Sequence, residues 1–141
     1  MTERVYVIEK SEMSKLKEML AYDPFMDPKV IPPVPANMTP EEAKAREEKI
    51  AEAKKALPEG ALTIIFGRQE YSLKEGASVG LKGDNYLYIN ASDDFLKGAE
   101  GRFTREFKTV KRADPADEAK VIENLRAEKD KAAEGFGSIF G

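Results

Sequence analysis

The sequence predicts an α+β fold: a small, mostly antiparallel sheet, formed by an N-terminal strand and a three-strand meander, packed with about four helices. Three observations carry this expectation. Short runs rich in β-branched and aromatic residues fall at 4–9, 62–66, 68–73 and 85–89. Turn residues at Gly67, Glu75-Gly76 and Lys82-Gly83-Asp84 divide the last three runs closely enough for antiparallel pairing. Elsewhere the apolar residues recur at helical spacing, and a 35% charged fraction against 41% apolar implies a compact core with well-solvated helices.

The elements follow in order. Arg4-Val5-Tyr6-Val7-Ile8-Glu9 reads as a largely buried strand, and Ser11 is placed to cap a helix whose apolar residues are Met13, Leu16, Met19 and Leu20. Residues 22–40 then hold six of the eight prolines. Proline lacks an N–H and drives its predecessor to extended geometry, so the stretch is a long extended loop. Its apolar residues, among them Phe25, Met26, Ile31 and Val34, are too many for a solvated linker; they pack on the domain itself or on another protein.

Thr39-Pro40-Glu41-Glu42 combines a capping hydroxyl, a proline at the first helical position and a glutamate three residues after the cap, starting a helix that runs to about Leu57. Its apolar side is thin, so it lies on the surface or arches away. Leu62–Phe66, Arg68–Leu73 and Asn85–Ile89 form the meander, with a short extra strand possible at Ala77–Leu81. From Ser92 to Arg112 the apolar residues Phe95, Leu96, Ala99, Phe103, Phe107 and Val110 share one helical face, so a third helix is expected there, capped by Ser92. Asp114-Pro115 starts the last helix, which Gly135 should stop. The organisation expected is one α+β domain over 1–134, containing the Pro-rich loop 22–40, followed by a Gly/Phe-rich tail over 135–141.

Composition narrows function by exclusion. With no Cys and no His, thiolate and imidazole chemistry and the usual ligands of zinc, copper, haem and iron–sulfur clusters are absent. No cofactor, metal or catalytic residue is expected, and the chain is read as a non-enzyme. The lack of cysteine, of a leader segment and of a long apolar run makes the cytoplasm the expected location, with no membrane span. Residues 1–60 carry ten basic and twelve acidic side chains, leaving thirteen and fourteen for the rest, so bulk nucleic-acid binding is not expected. The pairs Asp23 with Asp27, Asp84 with Asn85 and Asp93 with Asp94 lack the alternating spacing of a calcium loop and read as caps and turns.

Three features remain for binding. The tail sets Phe136, Ile139 and Phe140 among glycines at a chain end, where they fold back or enter a partner's groove. The Pro-rich loop offers Phe25, Met26, Ile31 and Val34. Arg102, Arg105, Lys108, Lys111 and Arg112 stand on the outer side of the third helix against Glu106 alone, a patch suited to an acidic protein surface, a small anion or RNA, or to plain solvation. An anion site between the meander and the third helix would draw on Arg68, Tyr71, Lys82 and Tyr88. The function expected is that of a non-catalytic accessory or regulatory protein docking on a larger protein complex through tail, loop and basic helix. The alternative is a small-anion-binding or RNA-associated domain using residues 102–112.

Overall fold

The computed structural model describes residues 1–133 in full and residues 134–140 only by their place in the last helix. Its centre is set by β1 (Thr2–Ile8), which pairs antiparallel with β3 (Asn85–Ala91) from Thr2 opposite Ala91 to Ile8 opposite Asn85. On the far side of β3 lies β2 (Glu70–Glu75), and on the far side of β1 the two-residue β4 (Lys111–Arg112), giving the order β2-β3-β1-β4. Side chains alternate across this sheet, as the pleat requires. Tyr6, Ile8, Leu87 and Ile89 enter one core with Leu16 and Leu20 of α1 (Met13–Ala21) and Leu96, Ala99 and Phe103 of α3 (Asp93–Glu106). Val5, Tyr86 and Tyr88 enter a second core with Val121 and Leu125 of α4 (Pro115–Phe140).

Class and element count agree with expectation: four helices and a four-stranded antiparallel sheet form an α+β fold. Thr39 Oγ1 accepts the Glu42 N–H at 3.2 Å to start α2 (Pro40–Lys55), and Ser92 Oγ accepts the Phe95 N–H at 3.2 Å to start α3.

Several elements differ, each for a local reason. Leu62–Phe66 is not a strand. Gly60, at φ 85°, turns the chain left-handed, and its carbonyl accepts the N–H groups of Thr63 and Ile64, after which Phe66–Arg68 form a 3-10 turn. The run is apolar because Ala61, Ile65 and Phe66 are buried, Phe66 against Phe95 and Phe103 at ring separations of 5.5 and 5.6 Å. The three-strand meander is thus a hairpin of β2 and β3, and the fourth strand comes from the segment expected to finish the third helix. That helix stops at Glu106; Phe107 is extended, and Lys111 and Arg112 pair with Val7 and Tyr6. Phe107 and Val110 still join the first core, which is why they matched the helical period.

Ala77–Leu81, where an extra strand was possible, forms none, its first residues lying in a 3-10 turn over Gly76–Val79, and Ser11 lies in a 3-10 turn before α1 without capping it. Gly76 approaches the Gly83 carbonyl so closely that no Cβ fits, and it anchors the 81–84 turn through Gly76 N–H to Asp84 O and Leu81 N–H to Gly76 O, both 2.9 Å. The last helix continues past Gly135, where a stop was expected.

Phe66→Ala should therefore cost about 3–5 kcal/mol, as for any fully buried aromatic. Urea unfolding measures it; a loss below about 1 kcal/mol would place Phe66 outside the core.

Candidate functional site

The Pro-rich loop is fixed by its own hydrogen bonds. Asp23 accepts the Phe25 N–H at 2.9 Å and caps a 3-10 turn over Pro24–Met26. Asp27 accepts the Lys29 N–H at 2.9 Å and the Tyr22 hydroxyl at 2.7 Å, while its carbonyl takes the N–H groups of Val30 and Ile31. The Lys29 N–H and then the Tyr22 hydroxyl hold the Asp27 carboxyl below its usual range; burial and the Asp27 acceptor push the Tyr22 phenol up to about 12. Arg46 of α2 donates to Pro32 O at 2.6 Å, and Lys54 of α2 and Arg68 lie over the Phe25 ring at 5.6 and 5.4 Å. Pro24 and Val30 are buried and Ile31 is half-buried.

On this fixed backbone Phe25 is 40%, Val34 70% and Met26 80% exposed. Burying each of these side chains would be worth roughly 1.5–3 kcal/mol, little of which Met26 or Val34 obtains from the described residues. Beside them, Pro32, Pro33, Pro35 and Met38 wall an apolar cleft of about 310 Å³ against α2. The helix α2 itself buries no residue.

The second expected site, Phe136, Ile139 and Phe140, lies outside the residues whose side chains are described. Among those described, Leu125 is the last buried residue of α4, and 126–133 are exposed.

The five cations of 102–112 do not share one face. Arg102 is 6% exposed and turned inward, its Nε and Nη2 donating to the Glu106 carboxylate at 2.7 and 3.2 Å. Arg105 reaches the Glu59 carbonyl at 3.1 Å. Arg112 forms a two-pronged pair with Glu118 at 2.7 and 2.9 Å, and Glu118 also takes the Val5 N–H at 3.1 Å. Burial pushes the Glu118 carboxyl up, but Arg112 and the Val5 N–H together hold it below its usual range. Lys108 and Lys111 are exposed, and their side chains have no partner among the described residues. The fold adds Lys82, which shares a cleft with both.

The other anion-site residues are separated. Tyr71 packs on the first core, the Tyr88 hydroxyl donates to Glu3 at 2.7 Å on the α4 side, and Arg68 pairs with Asp23 at 3.3 Å. Burial and the Glu3 acceptor raise the Tyr88 phenol, as burial and Glu100 raise that of Tyr6. Tyr6 donates to Glu100 at 2.8 Å, and Arg4 pairs with the same carboxylate at 2.9 Å. The acidic pairs take separate structural roles, local for Asp23 and Asp27 in the loop turns and long-range for Asp84 on the Lys10 N–H and Asp93 on the Thr2 hydroxyl.

Glu12 is the residue with no signal in the sequence. Its carboxylate accepts the N–H groups of Lys108 and Thr109 and the Thr109 hydroxyl, at 3.1, 2.6 and 2.5 Å, from 96 and 97 positions away in sequence. No helix among the described residues is long and apolar enough to cross a membrane. Comparison with protein-family models, curated proteins and solved structures finds no match to this chain.

The Thr109 hydroxyl first, then the two N–H groups, hold the Glu12 carboxyl below its usual range against some desolvation. An unfolded Glu titrates near 4.3, so the unfolded chain takes the proton first. The stability from this clamp is complete above about pH 4.3 and is lost as pH falls through the lower folded value. Glu12→Gln should cost about 1–2 kcal/mol at neutral pH, with the gap to wild type narrowing below pH 4, in urea titrations across that range.

Proposed function

We propose that the protein is a non-catalytic accessory or regulatory protein that docks on a larger protein complex, with the Pro-rich loop as its principal contact. The carrying observation is the exposure of Phe25, Met26 and Val34 on a loop whose backbone is already hydrogen-bonded into place. Binding through a fixed segment avoids most of the ordering cost that a disordered one incurs. A flexible Met beside an aromatic ring held between two cations suits an anchor that must fit a partner's pocket. Ile31, half-buried, supports the loop from within rather than reaching outward.

The tail is the second contact. Phe136, Ile139 and Phe140 recur at the i, i+3, i+4 spacing of one helical stripe, the pattern of a helix laid into a groove. Support comes from the exposure of 130–133, which lie beyond the last ion pair that ties α4 to the sheet among the described residues, Lys129 to Glu70 at 2.6 Å.

The test is affinity capture from native extract with wild type, the double variant Met26→Glu/Val34→Glu, and a chain lacking residues 135–141. Both positions are exposed, so unchanged circular dichroism is expected of the double variant. Recovery of specific partners should fall by about tenfold or more for the double variant, as for loss of a hot spot. Undiminished recovery by a folded double variant overturns the role of the loop, and the same result for the truncated chain overturns that of the tail.

A further inference from the structure

At the Ile8 end of the sheet, Lys82, Lys108 and Lys111 open onto one cleft of about 380 Å³. They come from three separate segments, and each backbone is held independently. The Lys108 N–H is bound to Glu12 at 3.1 Å, Lys111 pairs with Val7 across the strands, and the turn carrying Lys82 is pinned by Gly76 to Asp84 and by the Gly83 N–H on the Tyr86 hydroxyl at 3.0 Å.

Among the described residues none of the three ammonium groups has an ion-pair or hydrogen-bond partner, and three carboxylates of the surrounding elements are engaged elsewhere. Glu118 is committed to Arg112, Glu106 to Arg102, and Glu12 to the 108–109 backbone. The cleft also contains Glu9 and Asp84, the latter accepting the Lys10 N–H at 3.0 Å. Three lysines against two carboxylates leave one net positive charge in a concave site, which concentrates anions.

The chemistry of the lining selects the anion. Each lysine presents a compact point charge with three donors and no fixed fork, so three of them around one cleft suit a compact ligand that carries several negative charges, as the oxygens of linked phosphates do.

We propose that this cleft binds a compact, multiply charged phosphate group, of the di- or triphosphate kind. The site shares no residue with the exposed loop patch, so the two readings stand or fall separately.

The experiment is amide NMR titration of the full chain with inorganic pyrophosphate and, separately, with ATP, followed by the single variants Lys82→Ala, Lys108→Ala and Lys111→Ala, with Lys49→Ala on α2 as control. Saturable shifts are expected at 8–10, 82–85 and 108–112, weakening as salt screens the lysines. Each cleft variant should weaken binding about two- to fivefold, the range for an exposed charge pair, while Lys49→Ala leaves it unchanged. Tighter ATP binding with further shifts identifies a nucleotide as the source, and equal affinity identifies the phosphate chain alone. Shifts that never saturate, or an equal loss on Lys49→Ala, overturn the proposal.

Discussion

Burial of β1 on both faces is the constraint from which the rest follows. Tyr6 and Ile8 point to one side and Val5 to the other, all nearly inaccessible, so each face of the sheet needs its own cover. The first face receives α1 and α3, and the second receives α4. Both cores are closed by residues before 22 and after 60. The segment between contributes only Pro24 and Val30 to the buried set, although it spans a whole helix and seven prolines. A stretch of that length adds little to core stability, and its ordered turns serve instead to hold side chains in solvent.

Carboxylates fix the irregular parts of the chain. Glu12 ends the path of α3 by binding the two amides that follow it, Glu118 joins β1 to Arg112, and Glu100 secures Arg4 and Tyr6 beneath α3. Each satisfies a donor that no regular ladder reaches, and an unsatisfied buried donor costs more than a typical hydrogen bond returns. The short β4 is a consequence: once Glu12 turns the chain at Lys108, two residues are brought alongside Val7 and Tyr6.

What the sequence made legible is local. The hydroxyl caps at Thr39 and Ser92, the proline exclusions of 22–40 and the alternation of β3 depend on neighbours within a few positions, and all three are present in the fold. Leu62–Phe66 was illegible because a short apolar run in a packed turn has the same composition as a buried strand. Lys111–Arg112 was illegible because a two-residue strand exists only through its partner. For the cations, the sequence shows charge but not pairing: Arg102 and Arg112 stand in the same run as Lys108 and Lys111, and only the pairing of Arg112 with Glu118, six positions on at the start of α4, and the inward turn of Arg102 separate them.

That separation has a physical basis. Arginine loses less on burial because its charge is delocalised and its fork satisfies a carboxylate with two bonds, as Arg102 does on Glu106 and Arg112 on Glu118. Lysine is more strongly hydrated and stays outside. The arginines of 102–112 therefore hold the frame together, and Lys108 and Lys111 are left without a side-chain partner among the described residues. The lysine cleft opens at the end of β1, where Lys111 takes its place from the most buried strand while Lys82 and Lys108 are placed by the Gly76-pinned turn and by Glu12; the loop patch rests on its own turns and on contacts from Arg46, Lys54 and Arg68. The two surfaces thus differ in what can alter them: the patch can change while both cores persist, but the cleft keeps its geometry only while Lys111 stays paired with Val7.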